Sequence, residues 1–180
     1  RSPPCSRGRT SRPGGWNDPA VTPLLPAWAP NVHPLLVHFP IALLVTGVLL
    51  DIIAFGVAGP ARARLRDGGG LLSVAGALAS VATYLTGRAA ADTVLLPGMA
   101  HGLVQEHWAW AVWTVWYFAA VGSVRLFLLM TARSQGARMA VVLMLAGVVG
   151  LALLVETSER GAELVYRYGV GVEVLPNVQP

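Results

Sequence analysis

Four stretches of this chain run for about twenty residues with almost no charge, and that pattern limits what the chain can fold into. They lie at about 33–58, 69–87, 107–130 and 139–156. A helix needs about 20 apolar residues to cross about 30 Å of hydrocarbon. Backbone N–H and C=O groups cannot stay unpaired in lipid, so runs of this length read as transmembrane helices. Composition points the same way: 54% of residues are hydrophobic and 12% charged, against about 25% charged in soluble domains. A water-soluble globular domain and a largely disordered chain are both excluded. The expected fold is an all-α membrane protein with four transmembrane helices. The connections, about 59–68, 88–106 and 131–138, are short, so neighbouring helices should alternate as an up-down antiparallel bundle. Small residues at Ala75, Gly76, Ala79, Ser80 and Thr83, and again at Ala146, Gly147 and Gly150, suit close helix contact in lipid. No internal repeat is visible.

Residues 1–32 differ from the rest. Seven prolines between Pro3 and Pro30, two neighbouring glycines and four arginines make this an extended Pro/Gly/Arg-rich arm. Its apolar insertions Trp16, Leu24, Leu25 and Trp28 suit an arm lying along a partner subunit. The four-helix domain occupies 33–172, and 173–180 form a C-terminal tail. Residue 1 is Arg rather than Met, which reads as a processed or trimmed chain, and 1–30 hold no secretory apolar core. The lone cysteine, Cys5, leaves no disulfide framework or Cys-rich metal site. The net charge of +4 forms no basic stripe with interleaved aromatics, so no nucleic-acid partner is expected.

Arginines set the expected orientation. On one face lie Arg62, Arg64, Arg66, Arg133 and Arg138; near the helix ends of the other lie Arg88, Arg160 and Arg167. Cytoplasmic loops carry the excess of positive charge. The expected location is the bacterial inner membrane, multi-pass, with both termini periplasmic.

The four histidines gather on that periplasmic face. His33 and His38 open the first helix; His101 and His107 lie in the loop before the third helix or at its start. Ionisable residues at membrane depth are functional candidates by default. Imidazole binds haem iron, copper and zinc. With no nearby cysteine and few carboxylates, a zinc site of mixed ligands is poorly supported. Haem b needs one or two imidazoles and an apolar slot. His33 and His38 are five residues apart and so about 140° around a regular helix; His101 and His107 are about 120° apart. The deeper pair, His38 and His107, is therefore the expected axial set, with Ala42 and Ala111 one turn below. His33 and His101 would hold a second haem, bond propionates or meet water. Arg88, Arg160 and Arg167 would meet the propionates. The alternative for His38 and His107 is bonding to backbone carbonyls near Pro34 and Pro40.

Trp108 and Trp110 suit the aromatic belt, whereas the deeper Trp113 and Trp116 need a cofactor, lipid or partner surface. Asp51 and Arg125 lie in the cytoplasmic half, about 20 Å below His38 and about 27 Å below His107 respectively. Mutual pairing is expected, since an aspartate is too short to reach the headgroups.

The run His33-Pro-Leu-Leu-Val-His38-Phe-Pro40-Ile-Ala-Leu, then Asp51, Thr86-Gly87, a histidine before the third helix and Leu164-Val-Tyr-Arg-Tyr-Gly-Val-Gly171-Val resembles the DUF2231 family of four-helix bacterial membrane proteins. The resemblance covers 33–172; it departs at Gly161-Ala162, where the family usually shows a Gly-Gly pair. Members are sometimes fused to c-type cytochromes, which implies a haem or electron-transfer role. The expected function is thus a b-type cytochrome-like electron-transfer subunit with one haem b or two, serving a c-type cytochrome, a quinone or a larger membrane complex. The alternatives are a non-catalytic integral subunit of an energy-transducing complex and a periplasm-facing copper site. No nucleophile triad, phosphate loop or paired carboxylates suggest hydrolysis or phosphoryl transfer, so an accessory or electron-transfer subunit is expected over a stand-alone enzyme.

Overall fold

The structure, a computed structural model, describes residues 31–94, 96–131 and 136–172. The tail at 173–180, and all of the arm except Asn31 and Val32, lie outside them. Every regular element among the described residues is helical. They are α1 (His33–Leu36), α2 (His38–Gly56), α3 (Gly59–Ala91), α4 (His101–Met130, entered through a 3-10 turn at Gly98–Ala100) and α5 (Ala137–Tyr166). Four spans are long and apolar enough to cross a membrane: α1 with α2, then α3, α4 and α5.

The expected first helix, 33–58, is broken after one turn, and proline supplies the reason. Pro40 has no N–H, so the Leu36 carbonyl loses its donor four residues on. The hydroxyl of Thr83 on α3 donates to that carbonyl at 3.3 Å. A neighbouring helix thus satisfies what the proline leaves open, as lipid cannot.

The other helices outrun their apolar stretches. The expected 59–68 connection shrinks to Val57–Ala58, and α3 begins at Gly59, whose φ of +65° turns the chain sharply. Arg62 Nε donates back to the Val57 carbonyl at 2.6 Å. At 1.5 Å per residue the 33 residues of α3 extend about 50 Å, well beyond the hydrocarbon. The 30 residues of α5 likewise continue past Glu156, so that the polar segment 156–166 is helix.

Glycines set how closely the helices approach. A Cβ on Gly76 of α3 would lie 2.6 Å from Leu44, and one on Gly150 of α5 would lie 2.6 Å from Phe118. Gly47 faces Gly69 and Ser73, and Gly68 faces Leu50. Gly122 of α4 meets Ala77, while Gly70 meets Leu129. Along α2 with α3, and α3 with α4, one partner's number rises as the other's falls. Val48 against Gly147 closes the ring between α2 and α5. Leu44, Ala77, Phe118 and Leu154 form the core. The expected small-residue face of the second span holds at Gly76 and Ser80, but it turns toward Gly69, Ser73 and Ala77 and leaves Ala75 exposed. Leu78, Phe127 and Val155 point outward, as lipid permits.

Asp51 and Arg125 meet inside this ring. Arg125 Nη1 donates to Asp51 Oδ1 at 3.2 Å, and Nη2 donates to Oδ2. Arg125 is 1% exposed and Asp51 5%. Gly69 makes room: a Cβ there would sit 2.9 Å from Asp51 Oδ1. Removing one partner of a buried pair strands a charge and costs about 3–5 kcal/mol. Asp51→Ala or Arg125→Ala should each destabilise the bundle by that order in a denaturant titration of the solubilised protein. The double substitution should cost less than the two singles added; strict additivity would show that the pair is not coupled.

Candidate functional site

The histidine end of the bundle is built from two similar corners. In the first, Asn31 ties the chain entrance to the end of α3: its Oδ1 accepts from the His33 N–H at 3.1 Å, and its Nδ2 donates to Thr93 Oγ1 at 3.2 Å. The His33 ring then reaches α3, where Nδ1 lies 3.0 Å from the Thr83 carbonyl. A carbonyl only accepts, so Nδ1 carries the hydrogen, and the neutral ring keeps an unprotonated Nε2. Gly87, one turn on, gives the ring its place, since a Cβ there would fall 2.8 Å from Cε1.

The second corner repeats this on α4 and α5. His107 Nδ1 lies 3.0 Å from the Thr157 carbonyl, and a Cβ on Gly161 would fall 3.1 Å from its Cε1. The hydroxyls of Thr114 and Thr157 bond each other at 2.8 Å behind it. No hydrogen bond from the described residues reaches Nε2 of either ring.

The other two histidines sit apart from this arrangement. His38 is exposed; its Nδ1 lies 3.4 Å from the Leu35 carbonyl in its own turn, and Ala42 below it is exposed too. His101 is exposed at the start of α4. Depth alone pairs His38 with His107, but the histidine that shares His107's setting is His33. The one-turn α1 and its contact with α3 turn His33 inward, which a single-helix periodicity does not convey.

Of Arg88, Arg160 and Arg167, Arg160 is the one next to a histidine corner, just before Gly161. It pairs with Glu156 at 2.6 Å and Glu106 at 3.8 Å, and lies over the Trp110 ring at 4.7 Å. Arg88 is exposed, and Arg167 is exposed and paired with Glu163. Gly161, where the family pattern departs, is inside α5. The turn comes at Gly169 and Gly171, with φ of +64° and +76°, and the Val170 N–H closes the helix on the Leu164 carbonyl. Gly171 comes beside Val94, so the segment after α5 does return to the α3 end. Lower down, Trp110, Trp113, Trp116, Tyr117 and Leu153 line an outward apolar groove of about 310 Å³.

The donor set separates the metal chemistries. Zinc sites take three or four protein ligands, whereas a haem iron takes one or two imidazoles. Among the described residues no three His, Cys, Asp or Glu side chains gather as a metal site. Two imidazoles, each with Nδ1 on a helix carbonyl and no hydrogen bond from the described residues at Nε2, fit a set of one or two imidazoles.

Four spans around a glycine-lined core, with this histidine end, define an all-helical membrane protein. The chain belongs to the DUF2231 family, described as predicted membrane proteins, which matches it over residues 29–174. No curated protein and no solved structure matches it.

The two environments predict different reactivity. Diethylpyrocarbonate applied to the solubilised full chain should modify His38 and His101 first, with His33 and His107 at least several-fold slower. Equal rates at His33 and His38 would contradict the inward placement of His33.

Proposed function

We propose that this chain is a membrane-embedded, b-type cytochrome-like electron-transfer subunit that binds haem b through His33 and His107. The observation that carries the reading is the pair of rings in one setting, each with Nδ1–H on a helix carbonyl and Nε2 left for a ligand. His33 thereby takes the place first assigned to His38. When bound, haem supplies a one-electron ferric–ferrous couple. The Thr83 and Thr157 carbonyls fix tautomer and ring angle. Gly87 and Gly161 keep the space each ring occupies. Arg160, held by two carboxylates and Trp110, is the cation nearest the site for an anionic edge such as a propionate.

The surrounding architecture in this reading is an up-down antiparallel bundle in the bacterial inner membrane, supported by the opposed numbering of helix contacts. The ends that carry Arg62, Arg64, Arg66 and Arg138 face the cytoplasm, and the histidine end faces the periplasm. Electrons pass between a periplasmic c-type cytochrome and a quinone or larger complex. A second reading, a non-catalytic subunit of such a complex, draws on the outward tryptophan groove. Trp113 and Trp116, 70% and 71% exposed, offer it a docking face.

Two measurements test this. Protein purified from haem-supplied cells should give a Soret band and a b-type pyridine haemochrome. His33→Ala or His107→Ala should cut haem retention at least tenfold, with His38→Ala near the parent. Absence of the band would turn the reading to the structural subunit. For topology, single cysteines at 64 and 92 in a Cys5→Ser chain should differ in intact cells, with only position 92 reached by an impermeant thiol reagent. The opposite labelling would invert the orientation.

A further inference from the structure

The two histidine corners are spaced alike along the chain. His33 to Thr83 and His107 to Thr157 are both 50 residues, and the glycine beneath each ring follows four later. The offset between corners is 107 − 33 = 74, and the same 74 relates 83 to 157 and 87 to 161. It extends through the bundle. The buried residues of α4 are Thr114, Phe118, Gly122 and Arg125; subtracting 74 gives 40, 44, 48 and 51, all buried in α2. Five of the six buried residues of α5 likewise fall on buried positions of α3. Leu44 packs on Gly76 as Phe118 packs on Gly150. No repeat is visible in the sequence by eye, but the fold contains one.

The contacts between halves reveal the operation that relates them. Val48 meets Gly147, and its image, Gly122, approaches Ser73 with the carbonyl 3.8 Å from an ideal Cβ. Such reciprocity, in which i touches j and their equivalents touch in exchange, is the property of a two-fold axis. A residue that touches its own equivalent must lie on that axis, and Asp51 with Arg125 is such a pair, since 125 − 51 = 74. In a strict two-fold, two like charges would face each other there. Opposite charges remove that conflict. The histidines come 18 residues before the charged pair in both halves, about 27 Å along a helix. The axis therefore runs along the bundle from the charge pair to the histidine end. Each half contributes two spans, an even number, so both enter the membrane in one orientation.

We infer that the chain is a tandem pair of equivalent helical hairpins about this axis, and that His33 and His107 form one shared site on it for a single metal centre with two imidazole ligands. Neither half is complete alone, and the site takes one ligand per chain. The identity of the ligand as haem rests on the reading above; the axis and the shared site do not. Among the residues that break the symmetry beside the rings is a cation. Arg160 stands where the first half has Thr86, so the anionic edge of a ligand would turn toward α5.

Two readouts on the full-length Cys5→Ser chain test this. The first is cross-linking of a cysteine pair at 33 and 107 by a short bis-maleimide. A pair at 31 and 93 serves as the fold control, since Asn31 and Thr93 already touch. The cross-link should form and should hold the halves together after proteolysis between α3 and α4. The second is titration of the chain, with its histidines intact, with iron protoporphyrin IX. It should end at one equivalent. His33→Ala and His107→Ala should lose the six-coordinate low-spin spectrum to the same extent. A cross-link without porphyrin uptake leaves the shared site standing and overturns the haem reading. A control cross-link at 31 and 93 with none at 33 and 107 overturns the shared site. So does an end point of two equivalents, or a single histidine variant with an unchanged spectrum.

Discussion

Hydrocarbon offers no hydrogen bonds, so polar groups at depth turn to partners inside the protein. The rest of this structure follows from how that demand is met. Ser73 and Ser80 return their hydroxyls to carbonyls one turn back, at Gly69 and Gly76. Thr83 covers the carbonyl orphaned by Pro40. Asp51 and Arg125 neutralise each other where α2 and α4 meet. Each arrangement needs close backbones, and the glycines of α3 and α5 allow that approach. Stability and site geometry thus share a cause. The same glycine-lined contacts that bring α2 onto α3 and α4 onto α5 seat the two histidine rings on their carbonyls.

The spans were legible because lipid imposes one simple rule, apolarity over about 20 residues. Their ends were not. Arg62, Arg64 and Arg66 read as a loop, yet they sit on the first turns of α3, since a helix can continue into water once the membrane no longer limits its side chains. Gly68, Gly69 and Gly70 read as a boundary, because glycine is a poor helix former in isolation. Here they are interior to α3, where Gly69 admits the Asp51 carboxylate and Gly70 meets Leu129. The Asp51–Arg125 pair was legible from depth and chemistry alone. The shared setting of His33 and His107 was not legible in the sequence, where depth pairs His107 with His38. His107 follows from its place on a regular helix, whereas His33 depends on a one-turn helix and a contact 50 residues away. The repeat is faint in the sequence because lipid-facing positions tolerate any large apolar residue, so the halves correspond chiefly at buried positions.

Two halves that arrive at one end with equivalent histidines place a site between them and not within either one. Arg160, with its carboxylates and Trp110, occurs in only one half and gives that site a polarity. The Asp51–Arg125 pair plays a complementary part at the opposite end. It rewards pairing of unlike halves, because two copies of either half would set like charges together on the axis. Both features are departures from symmetry, and both are charged.

The central claim, one iron held by one histidine from each half, is tested most directly by electron–nuclear double resonance. The sample is the oxidised full-length protein, grown with ¹⁵N-labelled histidine and supplied with haem. The account predicts a single low-spin ferric centre with two histidine nitrogens coupled to it. A centre with one coupled histidine nitrogen, or no ferric haem signal from well-folded protein, would contradict it.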